Sequence, residues 1–352
     1  MKRIHSLGWA ALAWCIVRAL WPVVAAADTR ISGAGSSFDY PFFSRAFYEY
    51  SREHAGLTID YASIGSGGGI QQFLAKTIDF GASDVPLNAG EMRAAQTANG
   101  NVVQVPVALG GVVIAYNVAG APAHVRLTAG VLVDIFLGKV TNWNAPAIAR
   151  SNAGTRFPNL PIVVVHRADG SGTTYILTDY LARISAQWRT GAGVAKSVNW
   201  PAAASIGAKG NEGVAGQIRN TPGAIGYIEL TYALENNISY AAVQNTAREF
   251  VLPSLTTVRA AAAQKPNVSP EDFSIVNQPG KDSYPISGYS WAMLWQRQAD
   301  AGKARELVNL FRWLVTNGQK LAGRIHYVPL PPSVQKQAER ALQTIRIAAA
   351  RP

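Results

Sequence analysis

The chain has 352 residues, a formal net charge of +11 and one cysteine, Cys15. This length is enough for two domains with sizeable cores. Because Cys15 lies in an N-terminal segment that we expect to be removed, the mature chain has no thiol for disulfides or thiolate chemistry. The positive charge suits an anionic partner, but the basic residues are scattered. No basic run interleaved with aromatic residues indicates nucleic acid.

Residues 1–27 have the pattern of a secretory signal peptide. Two basic residues stand at positions 2 and 3, residues 7–24 are mostly apolar, and the alanines at 25–27 offer a cleavage site. We expect the mature chain to begin at Asp28, with a net charge of +8 (29 basic minus 21 acidic residues). No later segment is apolar for long enough to span a bilayer, so we expect a soluble protein in the periplasm or outside the cell.

Three segments predict a strand that runs through a turn rich in glycine and hydroxyl groups into a helix. They are residues 31–38, 64–69 and 165–174. The first backbone N–H groups of a helix have no partner within it, and the helix dipole favours negative charge there. Each segment is therefore a candidate site for an anion. Taken alone, the glycines at 65–69 would also suit a flexible turn.

The remaining segments alternate between strand and helix patterns. We predict strands at residues 57–62, 78–87, 160–165, 222–228 and 288–295, and helices at residues 88–98, 127–136, 175–184, 209–214, 304–314 and 333–350. Residues 102–116 predict a strand pair or one long crossing strand, and residues 241–285, with five prolines, predict peripheral helix and loop. This alternation predicts an α/β architecture, in which ligands bind beyond the carboxyl ends of strands.

The segment around Arg167 has the chemistry of a site for a small tetrahedral anion. Arg167 provides a planar, permanently charged group, and three hydroxyl residues follow within seven positions. Asp169 could pair with Arg167 and fix its plane, or it could be a simple turn or capping residue. Asp84 could likewise cap the helix at 88–98 or be a carboxylate in the ligand cleft.

Six segments resemble, in order, those of the periplasmic phosphate-binding proteins of phosphate-specific ABC transporters, and they span nearly the whole mature chain. The segments are Gly33-Ala34-Gly35-Ser36-Ser37-Phe38, Ile64-Gly65-Ser66-Gly67-Gly68, Ile78-Asp79-Phe80-Gly81-Ala82-Ser83-Asp84, Arg167-Ala168-Asp169-Gly170-Ser171-Gly172-Thr173, Lys209-Gly210-Asn211-Glu212-Gly213 and Pro222-Gly223-Ala224-Ile225-Gly226-Tyr227.

The resemblance implies a two-lobed α/β protein of the type II, Venus-flytrap kind, with phosphate in the cleft between the lobes. Residues 28–111 and 286–352 would form lobe I, and residues 112–285 would form lobe II. The protein would be a periplasmic monomer that delivers phosphate to the permease of an ABC importer with a cytoplasmic ATPase. It would have no catalytic residues, cofactor or metal.

The resemblance also implies which residues bind phosphate. Lobe I would contribute Ser37, the Phe38 backbone, Ser66 and Asp84, and lobe II would contribute Arg167, Ser171, Gly172 and Thr173, with Asp169 holding Arg167. His166 stands where some relatives carry a second arginine, and we expect it to face outwards or to pack.

Other functions stay open at this point. A secreted phosphate-ester or serine hydrolase could use the same anion site, although no serine lies in a G-x-S-x-G motif and the five histidines form no spaced metal set. The chain could also bind sulfate, molybdate or a phosphonate, or have an adhesion or sensing role. An ionised Asp84 argues against sulfate, because a carboxylate accepts the proton that phosphate retains and repels an anion without one.

Overall fold

The structure is a computed structural model that describes residues 29–348. The predicted signal peptide at residues 1–27 lies outside the described residues. The strands are β1 (Thr29–Gly35), β2 (Leu57–Ser63), β3 (Phe80–Ser83), β4 (Val102–Tyr116), β5 (Arg126–Leu127), β6 (Val163–Arg167), β7 (Ser205–Ala208), β8 (Ala224–Glu229), β9 (Ser239–Tyr240), β10 (Ala242–Gln244), β11 (Phe250–Val251), β12 (Ser287–Trp295), β13 (Arg297–Gln298) and β14 (Arg346–Ile347).

The helices lie between these strands, so the predicted α/β class is correct. They are α1 (Tyr40–Glu53), α2 (Ser66–Leu74), α3 (Ala89–Ala98), α4 (Ala129–Phe136), α5 (Pro146–Ala149), α6 (Gly172–Ile184), α7 (Ala186–Thr190), α8 (Gly210–Asn220), α9 (Leu230–Glu235), α10 (Leu255–Ala263), α11 (Ala301–Val315), α12 (Gln319–Ala322), a 3₁₀ turn (Gly323–Ile325) and α13 (Pro332–Gln343). Within residues 29–348, none of these helices is long and apolar enough to cross a membrane.

A mixed sheet runs through the molecule in the order β2-β1-β3-β12-β4-β8-β6-β7, with β9 also paired to β4. β4 joins its two halves. From Val102 to Gly111 β4 pairs with β12, and from Val112 to Tyr116 it pairs with β8. One half contains the parallel strands β1, β2 and β3, and the other contains the parallel strands β6, β7 and β8. The division into lobes at 111/112 and 285/286 stays a prediction.

The aromatic face of α1 fixes the first strand–turn–helix segment against the sheet. Phe43 stacks on Phe47 with ring centroids 4.8 Å apart, and it meets the edge of Tyr61 from β2 at 5.0 Å. Both phenylalanines are almost fully buried. Burying such side chains stabilises the fold by about 1.5–3 kcal/mol each. This packing holds the turn before α1 at the carboxyl end of β1.

Some sequence expectations need correction. Asn88, and not Asp84, caps α3: its side chain accepts from the backbone N–H groups of Gly90 and Glu91, and the Glu91 carboxylate accepts from the Asn88 N–H. Of the two arrangements predicted for residues 102–116, the single crossing strand is confirmed and the strand pair is not. The last helix ends at Gln343 and is followed by β14, so it is shorter than the predicted 333–350.

Candidate functional site

The predicted site residues lie together where the carboxyl ends of the two parallel strand sets meet. All eight predicted ligand-binding residues lie at the ends of β1, β2, β3 and β6, in the turns that follow them or at the starts of the next helices. None of the seven with a side chain exposes more than 4% of its surface, and these are Ser37, Phe38, Ser66, Asp84, Arg167, Ser171 and Thr173. Gly172 is also buried, at the first position of α6. The structure thus brings the whole predicted set into one buried polar cluster.

Hydrogen bonds connect the two halves of the molecule within this cluster. The Gly172 N–H donates to Ser66 Oγ at 3.0 Å, and the Gly67 N–H donates to the Gly170 carbonyl at 2.8 Å. Thr173 Oγ1 donates to Asp84 Oδ2 at 3.3 Å. The first two bonds join the N-terminus of α2 to the start of α6, and the third joins the start of α6 to the residue after β3.

Asp169 holds Arg167 by one edge of the guanidinium group. Arg167 Nε donates to Asp169 Oδ1 at 2.7 Å, and Arg167 Nη2 donates to Asp169 Oδ2. The Gly210 N–H also donates to Asp169 Oδ1, at 3.1 Å. Two of the five guanidinium N–H groups are thereby used, and the other three donate to no residue in the described part of the chain.

The pKa values of this pair follow from burial and pairing. Burial acts to raise the pKa of Asp169, but the hydrogen bonds and charge of Arg167 outweigh it and hold that pKa below its ordinary value. Burial acts to lower the pKa of Arg167, and Asp169 more than offsets this effect, so the guanidinium keeps its charge. The pair is therefore ionised, with one edge of the cation available.

Three serine hydroxyl oxygens accept hydrogen bonds from N–H donors. Ser37 Oγ accepts from the backbone N–H of Asn211 at 3.0 Å and from its Nδ2 at 2.9 Å. Ser66 Oγ accepts from the N–H groups of Gly172 and Asp84, and Ser171 Oγ accepts from the Thr174 N–H. None of the three hydroxyls donates a bond within residues 29–348. A hydroxyl has one donor and two acceptor sites, so three buried protons remain to be donated.

The two oxygens of Asp84 have different surroundings. Asp84 Oδ1 accepts from Ser36 Oγ and lies 2.7 Å from Ser290 Oγ, whereas Oδ2 has only the long bond from Thr173. Burial raises the pKa of Asp84, while the hydroxyls of Ser36 and Ser290 and then the charge of Arg167 act to lower it. Asp84 Oδ2 is thus the acceptor that remains available for a further donor.

Asn211 belongs to the cluster, but sequence reasoning gave it no role. It is the second residue of α8, donates to Ser37 and to Thr173 Oγ1, and accepts from the Glu229 N–H through Oδ1 at 2.9 Å. The sequence did contain a signal for this residue. Asn211 lies in residues 209–213, one of the six segments that resemble those of phosphate-binding proteins.

His166 lies outside the cluster, as expected. Its ring stacks on Trp200 with an interplanar angle of 20°. Among residues 29–348 no three His, Cys, Asp or Glu side chains form a group that could hold a metal ion. The arrangement is therefore one cation with free donors, three hydroxyl protons and one carboxylate oxygen, and this set is suited to an oxyanion that carries a proton.

Comparisons with known proteins agree with this geometry. The model of the PBP superfamily domain matches residues 22–315. The chain is 44% identical to the phosphate-binding protein PstS of Xylella fastidiosa over 89% of this chain and 84% of that protein. It is 40% identical to the phosphate-binding protein PstS of Pasteurella multocida, over 89% of this chain and 90% of that one.

A solved structure has the same fold. It is a high affinity periplasmic phosphate-binding protein (PfluDING) bound with phosphate, with 25% identity and a TM-score of 0.72 over 89% of this chain and 93% of that chain. The similarity confirms the predicted two-lobed periplasmic-binding-protein fold. The chain belongs to the PBP superfamily, and within it to the family of PstS phosphate-binding proteins.

Proposed function

We propose that this protein binds inorganic phosphate in the periplasm and delivers it to the membrane permease of an ABC importer driven by a cytoplasmic ATPase. The names of its relatives support this function, since those relatives are phosphate-binding proteins. We also propose that it acts as a monomer and has no catalytic activity.

The observation that carries the proposal is the unused donor set. Three buried serine hydroxyls, from Ser37, Ser66 and Ser171, have protons but no acceptor within the described residues. Three N–H groups of Arg167 also have no acceptor there. Leaving a buried donor unsatisfied costs about 1–3 kcal/mol. A phosphate has enough lone pairs to accept all of these bonds, and its bond to the guanidinium would be charge-assisted.

Each predicted site residue has a proposed role. Arg167 would bind phosphate through the edge that Asp169 leaves unused. The hydroxyls of Ser37, Ser66 and Ser171 would donate to phosphate oxygens, and Thr173 would do so on releasing its bond to Asp84 Oδ2. The N–H groups of Phe38 and Gly172 donate to Ser36 Oγ and Ser66 Oγ in this structure, and they would turn to phosphate oxygens as donors without net charge.

Asp84 would provide selectivity for phosphate over sulfate. Its Oδ2 can only accept a hydrogen bond when it is ionised. Phosphate keeps at least one proton near neutral pH and can donate it, whereas sulfate has none. A buried carboxylate that faces an anion without a proton costs about 1–3 kcal/mol or more, which corresponds to roughly tenfold to hundredfold weaker binding. Arsenate carries the same proton and would bind.

Calorimetric titration of the mature, phosphate-stripped protein with phosphate and then with sulfate tests these proposals. We expect phosphate to bind far more tightly, and Asp84→Asn to reduce the preference for phosphate because an amide can donate to sulfate. Asp60→Asn is the matched control, since Asp60 is an exposed carboxylate paired with Arg30 in the same half of the molecule. If the wild-type protein does not bind phosphate, the proposed phosphate-binding function is wrong. An unchanged preference in Asp84→Asn contradicts only the role of Asp84.

The competing functions have direct tests. Tighter binding of sulfate, molybdate or a phosphonate in the same titration would assign the site to that ligand. Turnover of a chromogenic phosphate monoester by the purified protein would identify an enzyme.

A further inference from the structure

Ser290 lies between two buried carboxyl groups at the floor of the site. Its Oγ is 2.6 Å from Asp39 Oδ2 and 2.7 Å from Asp84 Oδ1. All three residues are buried, with at most 2% of their surface exposed. A hydroxyl has one proton, so Ser290 can donate to only one of the two carboxyls. The second short contact therefore needs a proton that is carried by a carboxyl group.

The surroundings of the two carboxyl groups differ, and the difference assigns this proton to Asp39. Asp84 accepts from the hydroxyls of Ser36 and Thr173 as well, and these bonds favour its ionised form. Asp39 has Ser290 as its only side-chain partner within the described residues, and its Oδ1 has no partner at all. Burying an ionised carboxylate with an oxygen that accepts no hydrogen bond costs far more free energy than burying the neutral acid.

The electrostatic environment of Asp39 also favours its protonated form. Burial raises the pKa of Asp39 well above its ordinary value, and the negative charge of Asp84 raises it further. Other titratable groups that interact with Asp39 include the phenols of Tyr61 and Tyr327, which carry no positive charge. No cation is among the groups that affect Asp39, whereas Arg167 acts on Asp84.

We propose that Asp39 is a positioning residue that is protonated and donates a hydrogen bond to Ser290 Oγ. The Ser290 hydroxyl in turn donates a hydrogen bond to Asp84 Oδ1. This inference rests on the proposed phosphate function, because it explains how Asp84 is prepared for its ligand. The bonds from Ser36 and Ser290 hold Oδ1 and orient Oδ2 towards Thr173 and the cluster. The neutral acid also places no second negative charge behind the anion site.

Carbon-13 NMR of the ligand-free protein, with labelled aspartate carboxyl carbons, tests the protonation state directly. Asp39→Asn identifies the resonance of Asp39, and Asp84→Asn identifies that of Asp84. We expect the Asp39 carboxyl to keep the chemical shift of a protonated acid at about pH 7, where an ordinary aspartate is ionised. An ionised Asp39 under these conditions overturns the proposal, whether or not phosphate binds.

Substitutions test the positioning role. Asp39→Leu removes the donor to Ser290, and we expect roughly tenfold weaker phosphate binding together with a smaller preference over sulfate. Asp39→Asn should restore most of both properties, because an amide N–H donates to Ser290 as the acid does. Ser290→Ala should resemble Asp39→Leu, and Asp60→Asn is the control for the loss of a carboxylate.

The outcomes separate the two proposals. Equal defects in Asp39→Asn and Asp39→Leu overturn the proton-donor role, and so does a Leu variant with unchanged selectivity. If instead the wild-type protein binds no phosphate, the proposed function itself is wrong. Circular dichroism and the unfolding midpoint of each variant identify those that bind weakly only because they are partly unfolded.

Discussion

Glu229 makes the stability of the protein depend on pH, and one substitution can remove this dependence. The residue ends β8 and is fully buried. Its Oε2 accepts from the Thr231 N–H at 2.7 Å, whereas its Oε1 has no partner within the described residues. Burial raises the pKa of Glu229 to about 8, an effect that the hydrogen bonds from Thr231 only partly oppose. The side chain is therefore neutral in the folded protein near neutral pH.

The sign and size of the effect follow from linkage. The pKa of Glu229 is higher in the folded state than in the unfolded state, where it is about 4.5, so folding favours the protonated form. Its contribution to stability is complete below about pH 4.5 and is lost as the pH rises to about 8. At 1.36 kcal/mol for each pKa unit, the free energy of unfolding falls by about 5 kcal/mol over this range.

Glu229→Gln keeps the shape of the side chain but cannot ionise. We expect the variant and the wild type to have similar unfolding free energies at about pH 4.5, and the variant to be more stable by several kcal/mol above pH 8. Urea unfolding across this range, in buffers without phosphate, measures the difference. Glu53→Gln, which changes an exposed carboxyl at the end of α1, is the control and should follow the wild type. A difference between wild type and Glu229→Gln that does not change with pH would refute the reasoning.

Two further predictions concern the ion pairs of the site. Asp169→Asn leaves the guanidinium of Arg167, with 1% of its side chain exposed, without its counter-charge. We expect a loss of roughly 3–5 kcal/mol of stability, measured by urea unfolding of the phosphate-free protein, and a smaller loss when phosphate is present. Lys196 pairs with Glu91 on α3, and its carbonyl accepts from the Ser171 N–H of the cluster at 2.8 Å. Lys196→Met should weaken phosphate binding by about twofold to fivefold at low salt and less at high salt, and titration at two salt concentrations measures this.

The turns of the site could be predicted from the sequence because their signals are local. A strand pattern followed by glycines, hydroxyls and a helix pattern lies within about twenty residues, as in the segment from Val163 to Ile184 that forms β6 and α6. The parallel direction of β1, β2 and β3 then brings their carboxyl ends together. Ser37, Ser66 and Asp84 are neighbours for that reason.

The supporting residues could not be predicted in the same way, because they reach the site from distant parts of the chain. Ser290 lies 206 positions from Asp84 and sits in the middle of β12, where the sequence is an ordinary buried strand. Asn211 lies 174 positions from Ser37. The side-chain contacts of both residues depend on how β4 pairs with β12 on one side and with β8 on the other. No local pattern records that pairing.

Gly65 provides a test of whether contact between the two halves is needed for binding. It precedes α2 with φ +83° and ψ 156°, a conformation that is essentially restricted to glycine. A Cβ atom there would lie 2.1 Å from Asp169 Oδ2 and 2.9 Å from the Gly170 carbonyl oxygen. Gly65→Ala must therefore separate α2 from the turn that holds Arg167, and we expect roughly hundredfold weaker phosphate binding.

Gly120→Ala separates this steric effect from backbone strain. Gly120 also has a positive φ, +77°, but a Cβ atom there would meet nothing within 4 Å. Both variants should lose about 1–3 kcal/mol of stability through strain, and only Gly65→Ala should lose phosphate affinity. Urea unfolding and calorimetric titration measure the two quantities independently. If Gly65→Ala binds phosphate as tightly as Gly120→Ala, the contact between Gly65 and Asp169 is not part of the bound state, and phosphate must bind with the two halves further apart.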